Sequence, residues 1–243
     1  MKQSIFTIKS NELLAKNTYE MVLSGDTSAL SAPGQFVNIQ LDGFFLRRPI
    51  SVCDYTDGEL TLIYKVVGKG TEKMCKMEPG ETLDILVGLG NGFDTKKSGE
   101  APVLLGGGAG VPPMYNLCKK LLAEGKKVTV ILGFNGTDEI FYEDKFKTLG
   151  AETIVTTADG SYGVKGFVTD ALKTLSYSYF YTCGPEPMLK AIDACATTSG
   201  QLSFEERMGC GFGACMGCTC ETKYGNKRIC KDGPVLEREE IIW

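Results

Sequence analysis

Four cysteines fall within eleven residues, 210-CGFGACMGCTC-220, and a fifth, Cys230, follows. The chain contains no histidine. Counting Cys210, Cys215, Cys218 and Cys230, the spacing is C-x4-C-x2-C-x11-C. That is the spacing of plant-type [2Fe–2S] ferredoxins, which take a distant fourth cysteine. Glycines 211, 213 and 217 fill the gaps. A loop that wraps a metal cluster must turn sharply and aim N–H groups at sulfur, and glycine permits both. The rival is a zinc held by four cysteines, but such sites usually show two C-x2–4-C pairs. Here one C-x2-C pair is present and Cys230 stands alone. Cys220 is the leftover and is expected to pack or to shield. The lack of histidine excludes Ser-His and Cys-His nucleophiles, His-liganded zinc and a Rieske centre.

Two further stretches suit a dinucleotide. In 104-LLGGGAGVPPM-114 an apolar strand passes through glycines into a helix with Pro113 near its first turn. Such a turn lets backbone N–H groups approach a phosphate at the positive end of a helix. The pattern is G-x-G-x-x-P, with Gly108, Gly110 and Pro113, so a tight turn alone would also explain it. The second stretch, 183-CGPEPM-188, follows a late strand and offers Cys183, Gly184 and Pro185. Both turns should lie at the carboxyl ends of parallel strands, where open α/β sheets bind ligands. Nearer the N-terminus, 47-RRPIS-51 supplies a cation and a hydroxyl, and 63-IYKVVGKGT-71 ends in Gly70 and Thr71, possible donors to a phosphate. Taken singly, each of these two is a weak signal, and a surface Arg or a turn glycine is the stronger reading.

The elements that must carry these residues divide the chain in three. Residues 1–97 read as short strands with Gly-rich turns; Val37, Ile39 and Leu41 face one way, Asn38 and Gln40 the other. This predicts an antiparallel β-barrel. From 98 to 202, apolar strands (102–107, 128–134, 152–157, 178–184) alternate with helical stretches (112–124, 137–149, 166–175, 185–198). That alternation predicts a doubly wound parallel sheet. Residues 203–243 hold the cysteine loop as a small third domain, so the fold class is α+β and multidomain.

Composition narrows the function classes. The 243 residues carry a net charge of −4 and no long basic run, which argues against nucleic acid. No apolar stretch reaches the roughly 18 residues of a membrane span. The N-terminus lacks an apolar signal core, so a cytoplasmic location is expected. Ten cysteines in such a compartment are not a disulfide framework, and the five scattered ones read as small buried hydrophobes.

Together, R-P-I-S, GGGAGVPP and CGPEPM resemble the ferredoxin-NADP reductase superfamily. The segment 206-ERMGCGFGACMGCTCETKYGNKRICKDGPVLEREEIIW-243 narrows the resemblance to the electron-transfer subunits of class 1B dihydroorotate dehydrogenases. The resemblance covers essentially the whole chain. It implies FAD at Arg48, Pro49, Ile50 and Ser51, along Ile63, Tyr64 and Lys65, and at Gly70 and Thr71. Many superfamily members have a stacking Tyr where this chain has Ile50. The resemblance places the nicotinamide at Gly108, Gly110 and Pro113 with Cys183, Gly184 and Pro185. It assigns a [2Fe–2S] cluster to Cys210, Cys215, Cys218 and Cys230. The absence of Arg in 134-FNGTDEI-140 leans towards NAD rather than NADP. No side-chain acid or base is needed, because a flavin exchanges two electrons with nicotinamide and one with the cluster. The pyrimidine chemistry would sit on an FMN-containing dihydroorotate dehydrogenase catalytic subunit, in an assembly of two of each chain. The rival readings are an NAD(P)H reductase subunit of another oxidoreductase, such as a sulfide dehydrogenase or hydrogenase, and a colourless zinc protein.

Overall fold

A computed structural model describes all 243 residues, Met1–Trp243. Strands β1 (Lys2–Ala15), β2 (Thr18–Ser24), β3 (Phe36–Ile39), β4 (Arg48–Thr56), β5 (Glu59–Lys65) and β6 (Thr82–Leu89) close an antiparallel barrel in the order β1-β2-β5-β4-β3-β6. The 14-residue β1 closes it by pairing with β2 along one edge and β6 along the other. A register shift between Ile8 and Ser10 accompanies this double pairing, and such a bulge adds the twist that closure needs. The period-2 pattern then decides what is inside. Val37, Ile39, Leu60, Leu62, Leu83, Ile85 and Val87 fill the barrel, each methylene contributing roughly 0.8 kcal/mol on burial. A short helix, α1 (Lys69–Met74), lies between β5 and β6.

The second unit alternates strands and helices: β7 (Val103–Gly107), α2 (Val111–Ala123), β8 (Thr129–Phe134), α3 (Glu143–Leu149), β9 (Glu152–Thr157), β10 (Val164–Lys165), α4 (Val168–Leu172), β11 (Phe180–Cys183), α5 (Glu186–Cys195) and β12 (Gly200–Ser203). The parallel order is β10-β9-β8-β7-β11-β12. Neighbouring strand residues serve opposite faces. Leu104, Val130, Leu132 and Tyr181 pack with α2 and α3, while Val103, Leu105, Ile131 and Phe180 pack with α4 and α5. The order reverses between β7 and β11, so the two Gly-rich turns leave adjacent strands, as expected.

The helix predicted over 137–149 is shorter. Residues 137–139 form one 3-10 turn, and Tyr142 adopts φ 66° before α3 begins. A left-handed tyrosine cannot continue a helix. Tyr142 is held there by the barrel: its hydroxyl donates to Glu20, and Lys145 Nζ donates to the same carboxylate (2.9 Å).

The cysteine segment is less independent than residues 203–243 suggested. A hairpin of β13 (Thr219–Thr222) and β14 (Gly225–Arg228) stands apart, but β15 (Val235–Glu237) joins β12 antiparallel and extends the nucleotide sheet. Asn91, after β6, clamps the approach to β15: its N–H donates to Gly233 O (2.7 Å), its Nδ2 to Val235 O (2.8 Å), and it accepts from Val235 N (3.0 Å). Barrel, nucleotide sheet and cysteine loop thus meet along one seam. No helix is long and apolar enough to cross a membrane.

Candidate functional site

The cysteine loop is built around its sulfurs. Ala214 N (3.2 Å) and Cys215 N (3.4 Å) donate to Cys210 Sγ, while Cys210 N (3.4 Å) and Gly217 N (3.5 Å) donate to Cys215 Sγ. Cys230 N donates to Cys218 Sγ (3.4 Å). Positive φ at Gly211 (78°), Gly213 (91°) and Met216 (61°) produces the curl. Glycine tolerates such angles freely, and Met216 does so at a local cost. Burial pushes the Cys210 thiol up, but N–H donors from Phe212, Cys215 and Ala214 outweigh it and bring the pKa down to about 6. Burial, then the neighbouring Cys218 and Cys210 sulfurs, drives Cys230 up to about 12. N–H donors gathered on Cys210, Cys215 and Cys218 sulfurs suit thiolates that ligate a cationic iron–sulfide core. These residues fit the cluster.

The four cysteines of the expected ligand set differ in burial. Cys218 and Cys230 are buried against the core that lies under α4 and α5, whereas Cys215 is exposed. Phe212 and Met216 stand exposed beside it. Cys220, on β13, packs against the same buried core and its thiol is raised by that burial. It receives none of the N–H···S bonds just described, in keeping with a packing role.

The barrel motifs converge. Arg48 opens β4, its guanidinium 4.7 Å from the Phe44 ring centroid and its Nη1 donating to Leu46 O (2.6 Å). A Cβ at Gly70 would overlap Arg48 Nε, so glycine lets α1 lie against this guanidinium without displacing it. Thr71 is occupied otherwise than expected. Its Oγ accepts from Val67 N (3.0 Å) and Gly68 N (3.2 Å) and donates to Gly68 O (3.0 Å), which commits the hydroxyl to the turn. The first-turn N–H groups of α1 remain as donors. Pro49 is exposed, Ser51 is half-buried, and Ile50 packs against the barrel core.

Alternation along β5 separates residues 63 to 65. Ile63 and Lys65 face the nucleotide unit, but the Tyr64 side chain points into the barrel, where it stacks on Tyr19 and donates to Asn11 Oδ1 (2.8 Å). Tyr64 is also among the residues that line the cleft between the two units. That narrow cleft brings Ile63 and Lys65 against Gly108, Ala109, Phe134 and Glu139. The two nucleotide turns also touch: a Cβ on Gly110 would overlap Cys183 O, and Gly107 and Gly184 both abut Met188. Pro113 lies buried in the first turn of α2, and Pro185 precedes α5.

Residues 205–242 match the iron-sulfur cluster binding domain of dihydroorotate dehydrogenase B, and residues 104–194 match an oxidoreductase NAD-binding domain. The dihydroorotate dehydrogenase B (NAD(+)) electron transfer subunit of Geobacillus sp. (strain WCH70) is 45% identical, over 100% of this chain and 99% of that protein. The chain belongs to the dihydroorotate dehydrogenase B electron-transfer subunit family. The family's subunit from Fusobacterium nucleatum is also 45% identical, covering 99% of each chain. Among solved structures, an NADH-dependent reduced ferredoxin-NADP oxidoreductase chain superposes with a TM-score of 0.89 at 29% identity, over 98% of this chain and 90% of the other. A ferredoxin NADP+ reductase from Neisseria gonorrhoeae shares the fold alone, with a TM-score of 0.65 at 20% identity, over 79% and 89% of the two chains. Iron–sulfur and nicotinamide binding therefore stand, and zinc is set aside.

Residues that the sequence did not single out complete the site. Glu139 Oε1 accepts from Lys65 Nζ (2.8 Å) across the domain boundary. Phe44 supports Arg48. Asn38 reaches the cysteine loop. None lies in a Gly- or Cys-rich motif; the one hint was a polar Asn38 in an apolar strand.

Proposed function

We propose that this chain is the electron-transfer subunit of an NAD-dependent dihydroorotate dehydrogenase, linking NAD to an FMN-containing catalytic partner in an assembly of two of each chain. One observation carries the reading. A sulfur loop with convergent N–H donors is pinned to a barrel whose β5 faces the nucleotide turns. Bound on this frame, FAD and the [2Fe–2S] cluster supply two-electron exchange with nicotinamide and one-electron exchange with the partner.

The chain's own residues bind and orient. Arg48, with the first turn of α1 at Gly70 and Thr71, offers positive charge to a pyrophosphate. Pro49, Ile50 and Ser51 form the adjoining strand surface; Ile63, Tyr64 and Lys65 form the cleft wall. Gly108, Gly110 and Pro113, with Cys183, Gly184 and Pro185, shape the nicotinamide side. Cys210, Cys215, Cys218 and Cys230 hold the cluster. The exposed edge at Cys215, Phe212 and Met216 is the face that meets the partner.

The test is an anaerobic visible spectrum of the chain co-expressed with a dihydroorotate dehydrogenase catalytic chain, before and after NADH. Flavin and iron–sulfide bands that bleach, in a complex containing FMN and two copies of each chain, are expected. A colourless protein that carries zinc overturns the reading. The 29% identity to a reductase of a different system supports one second reading, a reductase module for another oxidoreductase. That reading predicts normal bleaching without any complex with the catalytic chain.

A further inference from the structure

Asn38 lies in the middle of β3. Val37 and Ile39 on either side fill the barrel, so period-2 geometry turns Asn38 outward, towards the cysteine loop. It is only 1% exposed. Its Nδ2 donates to the backbone carbonyl of Cys210 (3.3 Å), a cluster ligand. The next residue, Gly211, has φ 78°, and a Cβ there would overlap Asn38 Nδ2. The loop thus descends onto this carboxamide. On its other side Asn38 pairs with Pro49 of β4, the residue after Arg48. Arg47 Nη1 braces the junction by donating to Asn38 O (3.3 Å) and to Asp84 Oδ1 (3.0 Å).

Asn38 Oδ1 is buried and has no donor within the chain. A buried acceptor without a partner is unfavourable, and an apolar side chain of similar size would remove that penalty. Leucine would therefore serve the packing at least as well. What leucine lacks is the donor to Cys210.

We propose that Asn38 is a positioning residue that fixes the cluster loop, through Cys210 and Gly211, relative to the flavin-binding strand β4. The role rests on the cluster and flavin assignment above. It requires no contact between Asn38 and iron, sulfide or flavin. The carboxamide sets where the first ligand stands.

The experiment compares wild type with Asn38→Leu and Asn38→Asp, all purified anaerobically with their cofactors. Iron, sulfide and flavin contents are measured first. The reduced cluster is then examined by electron paramagnetic resonance and visible circular dichroism, and NADH reduction is followed by stopped flow. In Asn38→Leu we expect full cofactor content, altered cluster spectra, an unchanged flavin-reduction phase and a measurably slowed cluster-reduction phase. Asn38→Asp keeps the shape but cannot donate when ionised, and it should alter the cluster spectra in the same way. It also serves if Asn38→Leu does not fold. Wild-type spectra and wild-type cluster reduction in whichever variant folds overturn the role of Asn38. A wild-type chain without iron–sulfide signals would instead overturn the cluster assignment, so the two failures are distinct.

Discussion

Lys65 Nζ lies 2.8 Å from Glu139 Oε1, and this pair ties the last residue of β5 to the loop after β8. Both partners are mostly sheltered, with side-chain exposures of 33% and 15%. The hydrogen bond from Lys65 holds the Glu139 carboxyl below its ordinary range. A lowered carboxylate pKa stabilises the fold above the unfolded-state value, near ~4.3, and that stability is lost as pH falls through the folded value. Glu139→Gln should cost about 1 kcal/mol at neutral pH. The gap from wild type should close as the pH drops below about 4. Urea unfolding of both proteins across pH checks this. A gap that persists at low pH would remove the ion pair as its cause.

Cys215 is the exposed one of the four proposed cluster ligands. Cys215→Ser should abolish the iron–sulfide spectrum and stop electron flow to the catalytic partner. Flavin reduction by NADH should continue, because the nicotinamide turns and β5 lie outside the loop. Rapid-mixing spectroscopy reads both phases. Electron delivery to the partner in a cluster-free variant would contradict the routing.

Cys220 provides the contrast. It packs against buried apolar residues and takes none of the N–H···S bonds of the loop. Cys220→Ala should retain full iron and sulfide and lose at most ~1 kcal/mol of stability, a small truncation at a half-buried site. Iron analysis with thermal unfolding tests it, and loss of iron would make Cys220 a ligand.

Gly70 and Arg48 are in van der Waals conflict with any added Cβ. Gly70→Ala should displace the guanidinium and weaken flavin retention by roughly tenfold, about 1.4 kcal/mol, the scale of one charge-assisted contact. Flavin release on dilution, read by fluorescence, measures it. Arg48→Lys should not rescue retention, because a point charge does not replace the planar fork. Unchanged retention in Gly70→Ala would place the pyrophosphate elsewhere.

Gly110 meets Cys183 O, joining the two nucleotide turns. Gly110→Ala should force them apart and raise KM for NADH several-fold, with cofactor content unchanged. Steady-state reduction of an artificial acceptor reports this, and an unaltered KM would separate the turn from the nicotinamide.

The chemistry-bearing motifs were legible because they depend on local backbone demands. Glycine at 108, 211 and 213 answers to positive φ, and cysteine at 210, 215, 218 and 230 follows a metal-cluster spacing, whatever packs around them. Barrel and parallel sheet were legible for a similar reason. Burial imposes a period of two on Val37 and Ile39, and an unbroken apolar run on Val103–Leu105.

What sequence could not supply is the company each side chain keeps across long separations. Tyr64 sat inside a motif resembling a flavin wall, yet strand alternation and Asn11 took its ring into the barrel. Thr71 had a hydroxyl suited to a phosphate, yet the turn's own N–H groups claimed it. β15 joined a sheet whose other strands lie in a different segment, because β12 presented an open edge. Asn38 meets Cys210 across 172 positions. Glycine angles, ligand spacing and apolar period are properties of neighbours along the chain, so the residues alone determine them. Which hydroxyl is already used, which ring turns inward and which amide reaches the cluster depend on closing the barrel and docking three units, and the tertiary structure alone fixes that.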